Sequence, residues 1–249
     1  MDYSEFLKKL TKIQEMGYIE SMRAGDTGIG KTLEELLGLR ENNIQGPDFS
    51  TYELKASRKG SQSMITLFTK KLEPDSGEKL WQTYGYKQRK AAPTKFKQEA
   101  LFETEKENNV VLPKEKELHT TVVAQDTNSI GFTLSVSRDR IIIKNPGNIE
   151  CFYSTSVLRE TLAKKYANMI HVLADHKRVQ GKEQFWFNEA YLHSGFKFET
   201  FMQLVTEGKI KIDIRIGHYP NGRPHDHGTG LRILPAHLSR CFDSTQKIL

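Results

Sequence analysis

The chain has 249 residues, with 37 Lys+Arg against 31 Asp+Glu and a formal net charge of +6. That length buries a full core in one or two domains without a metal or disulfide staple. Cys151 and Cys241 stand far apart with no CxxC pattern, which excludes a disulfide scaffold and a cysteine-based zinc site and fits a reducing compartment. The start, MDYSEFLKKL, lacks the apolar segment of a signal peptide, and no uncharged apolar run is long enough to span a bilayer. The basic balance mildly favours a nucleic-acid partner.

Phe6, Leu10 and Ile13 at helical spacing predict a helix over Tyr3 to Met16, with Ser4 as its cap. The glycine-punctuated turn Gly25 to Gly30 is expected to run into a helix from Lys31 to Leu39, and Asn42 to Pro47 is a loop. Thr51 to Ala56 and Met64 to Thr69 read as the strands of a hairpin, the first alternating and the second nearly all apolar. From about 73 to 117 the chain is polar and irregular. There Lys87, Arg89, Lys90, Lys95 and Lys97 are interleaved with Tyr84, Tyr86 and Phe96. The segment reads either as a solvated loop with short helices or as an arm whose lysines meet nucleic-acid phosphates.

A three-stranded meander is expected next, over His119 to Ala124, Gly131 to Ser137 and Arg140 to Lys144. Ser156 to Ala167 is a helix, and Met169 to Ala174 and Glu183 to Asn188 are strands around a Gln180-Gly181 turn. Phe198 to Glu207 is a helix stopped by Gly208. In Lys209 to Gly217, Ile210, Ile212, Ile214 and Ile216 fall on one face, the cleanest alternation in the chain. A loop rich in Gly, Pro and His leads to a strand over Gly230 to Leu234 and a short helix near Ala236. There is no internal repeat, and the class is mixed α/β.

Gly25 to Thr32 satisfies G-x-x-x-x-G-K-[ST], the phosphate-cradling P-loop pattern. A P-loop also needs a buried strand directly before its first glycine, and Gly17 to Arg23 supplies no run of β-branched apolar residues. An apolar strand ending in a magnesium-binding carboxylate is equally hard to find. A glycine-rich turn at a helix start still offers backbone N–H groups to an anion, which can be a DNA phosphate. Arg23, Asp26, Thr27 and Lys31 are therefore candidate DNA contacts.

The second constellation is Pro47-Asp48 followed by Glu53-Leu54-Lys55. In an extended strand Glu53 and Lys55 project together, while Tyr52 and Leu54 point to the other side. Two carboxylates suit a hard divalent cation, and a lysine beside them can orient or deprotonate an attacking water. As a bare pattern this matches many exposed, salt-bridged strand edges. Near the C-terminus Asp213 and Arg215 share the polar face of the isoleucine strand, with Arg232 on an expected neighbouring strand. Arginine bonds guanine O6 and N7, and aspartate accepts from cytosine N4, so this set suits G·C pairs. His225 and His227 invite a zinc site but lack a clear third ligand.

Glu34, Asp48, Glu53 and Lys55, with the Gly28-to-Gly38 block Gly-Ile-Gly-Lys-Thr-Leu-Glu-Glu-Leu-Leu-Gly, resemble a PD-(D/E)xK nuclease of the MutH-like branch. The resemblance is to the MvaI/BcnI type of restriction endonuclease. It extends through Leu67 to Lys70 and Tyr84-Gly85, and returns in Ile212 to Gly217, Tyr219, His225 to Thr229 and Leu231 to Ile233. It implies a restriction-endonuclease-like α/β (α+β) fold: a central mixed sheet flanked by helices, in a single domain over 1–249. Approximate lobes at 1–85 (catalytic) and 86–249 (recognition and wrapping) would flank a DNA cleft.

The resemblance further implies Mg²⁺-dependent hydrolysis of double-stranded DNA at a short C/G-rich site of the CC-x-GG sort, by a monomer cutting the strands in turn. Asp48 and Glu53 would hold the metal, Glu34 would assist directly or through water, and Lys55 would activate the water. Asp213, Arg215, Tyr219, His225, Asp226, His227 and Arg232 would contact DNA. A companion DNA methyltransferase without a stable complex, a bacterial cytoplasmic location and no membrane partner complete the expectation. A MutH-like nicking repair enzyme, a non-catalytic DNA-binding module and a P-loop NTPase are the alternatives.

Overall fold

The structure, a computed structural model, describes residues 1–39, 47–87, 116–219, 221–226 and 228–249. Helix α1 (Tyr3–Glu15) is capped by Asp2 rather than Ser4, the Asp2 carboxylate accepting from the Glu5 N–H at 2.8 Å. Asp2 is extended while Ser4 is already helical, so the former can fold its oxygen back over the first turn. A two-residue strand, β1 (Ile19–Glu20), precedes α2 (Gly28–Leu37), which begins inside the glycine run and not at Lys31. A β-carbon on Gly28 would stand 2.3 Å from the Arg23 carbonyl, so this helix start admits only glycine. At its end Gly38 adopts φ +72°, and the N–H groups of Gly38 and Leu39 return to the carbonyls of Glu35 and Glu34.

The chain continues through β2 (Tyr52–Arg58), β3 (Ile65–Lys70), α3 (Gly77–Tyr84) and β4 (Tyr86–Lys87). Arg89, Lys90, Lys95, Phe96 and Lys97 of the basic–aromatic segment lie outside the described residues. Next come β5 (Lys116–Val122), β6 (Thr133–Val136), β7 (Arg140–Lys144), β8 (Phe152–Ser154) and α4 (Thr155–Lys165). The last part comprises β9 (Asn168–Val179), β10 (Lys182–Phe196), α5 (Phe198–Thr206), β11 (Ile210–His218), β12 (Pro224–Asp226), β13 (Thr229–Ile233), α6 (Pro235–Leu238) and β14 (Phe242–Lys247).

The first sheet has the order β1-β10-β9-β2, with β14 also on β10. The β2–β9 pairing is parallel and the others antiparallel, so the sheet is mixed. Its centre is the β9–β10 hairpin, closed over Gln180 (φ +50°) and Gly181 (φ +80°), as a two-residue type I′ turn requires. The second sheet, β3-β13-β11-β5-β4 with β12 on β11, is antiparallel throughout, and β6-β7-β8 form a small meander.

Two expected pairings are corrected. β2 and β3 are not a hairpin: each is an edge strand, in different sheets, and the chain crosses between them. β5 leaves the meander to pair with β11, and β8 takes its place. The fully buried isoleucines of β11 explain this, since a central strand needs a partner on both edges and β5 and β13 supply them. Each large sheet draws strands from both sides of residue 85.

α1 and α2 cover one face of the first sheet, packing Phe6, Leu10, Leu33 and Leu37 against Leu54, Ile170, Val172 and Phe187. A second core joins the second sheet to the meander, α4 and α5 through Leu118, Ile212, Leu231, Leu158 and Phe201. Tyr166, fully buried just before β9, donates its hydroxyl to the Leu67 carbonyl of β3 and ties the two layers together.

Candidate active site

The site begins with a turn. Phe49 and Tyr52 exchange backbone hydrogen bonds across Ser50, whose φ is +46°, and this reversal returns Asp48 alongside β2. Asp48 Oδ2 accepts from the Leu54 N–H at 2.7 Å. Among the described residues β2 pairs only with β9, so this N–H lies on the strand's free edge and the carboxylate occupies it. A main-chain donor fixes the Asp48 carboxylate better than a flexible side chain could.

Glu53 is 1% exposed. Its Oε1 accepts from Lys55, two residues along the same face, and lies 3.1 Å from the ammonium of Lys165 at the end of α4. Its Oε2 is buried and, among the described residues, has no hydrogen-bond partner. Burial pushes the Glu53 carboxyl above its ordinary range and the Asp48 charge adds to this, while Lys55 and Lys165 pull it down. A buried acceptor left open beside a second carboxylate is a poor arrangement for a purely structural salt bridge. The residues fit a divalent cation, which would take Glu53 Oε2 together with Asp48 and relieve the crowding of charge. Glu34 is not part of that pair: among the described residues no three His, Cys, Asp or Glu side chains gather as metal ligands.

Glu34 instead lines an adjoining cleft of about 580 Å³, with Arg23, Asp26, Thr27 and Lys31 on the α2 side. Lys55, Ser57 and Arg58 of β2 form the floor, and Arg215 and Arg232 close it from the second sheet. The fold thus gathers the glycine-turn residues, strand β2 and two distant arginines. Arg58, which the sequence reading missed, organises the corner: it pairs with Glu183 at 2.6 Å and donates to the carbonyls of Gly25 and Asp26. Only the three-dimensional closeness of β2, the hairpin and the glycine turn reveals it.

Asp213 is placed differently from a base acceptor. Its Oδ1 accepts from Thr121 at 2.7 Å and its Oδ2 from Arg232 at 2.5 Å, while Arg232 also donates to the Met64 carbonyl. Both oxygens are therefore engaged, and Asp213 orients Arg232 from behind. Tyr219, His225 and Asp226 lie beyond the cleft lining, at the β11–β12 turn. There the Tyr219 and His225 rings stack at 4.2 Å and Asp226 accepts from the Gly228 N–H. His227 lies outside the described residues.

The P-loop reading fails on geometry. The only strand before the turn is the two-residue β1, on the far side of the sheet from β2. The Thr32 hydroxyl, which a P-loop turns toward magnesium, is fully buried, donating to the Gly28 carbonyl and accepting from the Met22 N–H. Lys31 pairs with Glu35 at 2.8 Å.

Hydrolysis of a phosphodiester requires a charged site for the phosphate, an oriented water and a base or its equivalent. Glu53 and Lys55 on an edge strand, with Asp48 folded alongside it and a basic cleft adjoining, answer that need in the manner of a PD-(D/E)xK nuclease. The model of the MvaI/BcnI restriction endonuclease family matches residues 7–242, and the chain belongs to that family, the site-specific deoxyribonucleases of restriction systems. Among solved structures it is similar to restriction endonuclease MvaI in a cognate DNA substrate complex, with 26% identity, full coverage of both chains and a TM-score of 0.80. To MvaI in the absence of DNA the identity is again 26%, over 100% of this chain and 99% of that one, with a TM-score of 0.53. No curated protein sequence was found to match.

Proposed function

We propose that this chain is a type II restriction endonuclease that hydrolyses double-stranded DNA with Mg²⁺ at a short C/G-rich site of the CC-x-GG sort, as a monomer cutting the strands in turn. The observation that carries the reading is the open, buried Oε2 of Glu53 beside Asp48, next to a cleft that Lys55 lines and Arg215 and Arg232 close. The closer likeness to the DNA complex of MvaI than to its DNA-free form supports double-stranded DNA as the occupant of that cleft.

In this reading Asp48, fixed by the Leu54 N–H, and Glu53 hold the cation, with Glu34 reaching it through water. When bound, a divalent cation supplies Lewis acidity to the phosphate and lowers the pKa of its water. Lys55 orients the attacking water at its Nζ, and the cleft's arginines and Lys31 hold phosphate and base edges. Mg²⁺ is favoured because all the donors are hard carboxylate oxygens.

We also place the enzyme, as one nuclease domain, in the bacterial cytoplasm beside a companion DNA methyltransferase. Both cysteines are free and buried, and no described helix is long and apolar enough to cross a membrane. Purified protein incubated with plasmid and Mg²⁺ without ATP tests the reading. Discrete fragments support it, nicks alone point to a strand-nicking repair enzyme, and unchanged plasmid overturns it.

A further inference from the structure

Lys165 reaches the catalytic carboxylate from an element that no motif includes. It ends α4, and its ammonium shares Glu53 Oε1 with Lys55. Its side chain is only 29% exposed, and the next residue is the fully buried Tyr166, whose hydroxyl bond to Leu67 fixes where the helix ends. The preceding Lys164 points into solvent and pairs with Glu160 at 2.6 Å. The helix end therefore directs one of two consecutive lysines inward, onto the oxygen adjacent to the open Oε2.

We propose that Lys165 is a placeholder cation: a positioning residue that holds Glu53 in the DNA-free enzyme and competes there with the divalent cation. A doubly charged ion entering beside Asp48 and Glu53 meets the Lys165 ammonium within a few ångströms and has to displace it or tolerate its repulsion. A DNA phosphate brought up to the acidic pair offers that ammonium another partner, so cation and DNA favour each other's binding. Metal loading then waits for substrate. The proposal rests on reading Asp48 and Glu53 as cation ligands.

Titration calorimetry of the DNA-free protein with Ca²⁺ alone tests it, with thermal melting to confirm that each variant is folded. Lys165→Met should bind Ca²⁺ on the order of tenfold more tightly than wild type, the effect of removing one partly buried ion pair. Lys165→Arg and Lys164→Met should keep wild-type affinity. If Lys165→Met binds no more tightly than wild type, or neither binds, the placeholder is overturned while the acidic pair can still bind cation in the presence of DNA. If Ca²⁺ binding to Lys165→Met survives an added Asp48→Asn, the cation sits elsewhere, and the reading of the pair falls together with the proposal.

Discussion

The Arg232 guanidinium donates to Asp213 Oδ2 at 2.5 Å, so two residues that a linear reading treats as separate base readers form one unit. Asp213→Ala should then weaken cognate DNA binding about as much as Arg232→Ala, with the double variant no worse than either alone. Arg215→Ala should cost about 1–3 kcal/mol at one base pair and leave random duplex binding nearly unchanged. Competition binding at fixed salt against site variants checks both. An equal loss on cognate and random duplexes would make these arginines backbone clamps.

If Asp48 and Glu53 hold the cation as proposed, removing either should stop the chemistry and spare recognition. Asp48→Ala and Glu53→Ala should lower single-turnover cleavage by at least about a thousandfold, because cation stabilisation of the transition state amounts to several kcal/mol. Specific binding in Ca²⁺ should persist in both. EDTA should abolish wild-type cleavage in the same way. Near-normal turnover by either variant would remove the assigned site.

How much of this was legible before folding differs by element. Glu53 and Lys55 lie two residues apart in one strand, so spacing alone set their shared face, whereas Asp48 joins them only through the turn at Ser50. β11 was legible through its isoleucines. β14 was not, because only Phe242 of its residues is buried and no two-residue period shows. β5 was assigned to its sequence neighbours, whereas burial of β11 demanded it elsewhere. Lys165, Thr121 and Arg58 act through contacts between segments far apart in the chain, and no local pattern encodes such a meeting.

The buried histidines set an acid limit. Burial lowers His171 and His193 to about 4 from 6.5, and the hydroxyls of Ser57 and Thr245 bond them at 2.7 and 2.8 Å. The unfolded chain therefore binds more protons below pH 6.5, so their contribution is complete above that value and is lost as pH falls toward 4. Each accounts for roughly 3 kcal/mol at most. Glu53, shifted upward, works in the opposite direction as it protonates. Urea melts in EDTA from pH 7 to 4 should show falling stability. His171→Gln or His193→Gln should flatten that slope, and an unchanged slope would refute the assignment.

Lys31 separates the phosphate role from nucleotide chemistry. Cleavage should be indifferent to ATP, and Lys31→Ala should weaken all duplexes alike while lowering the salt slope by about 1. ATP hydrolysis by pure protein that disappears in Lys31→Ala would restore the P-loop alternative.

The bond from the Leu54 N–H to Asp48 has a practical side. β2 is a free edge, and an edge N–H left open is a template on which a strand from another molecule can pair. The Asp48 carboxylate is thus also the guard of that edge. An alanine at 48 disarms the enzyme and uncovers the donor, whereas an asparagine lowers the charge but keeps an oxygen for Leu54. An inactive enzyme intended for crystals with intact DNA is better made as Asp48→Asn, which keeps the edge donor covered.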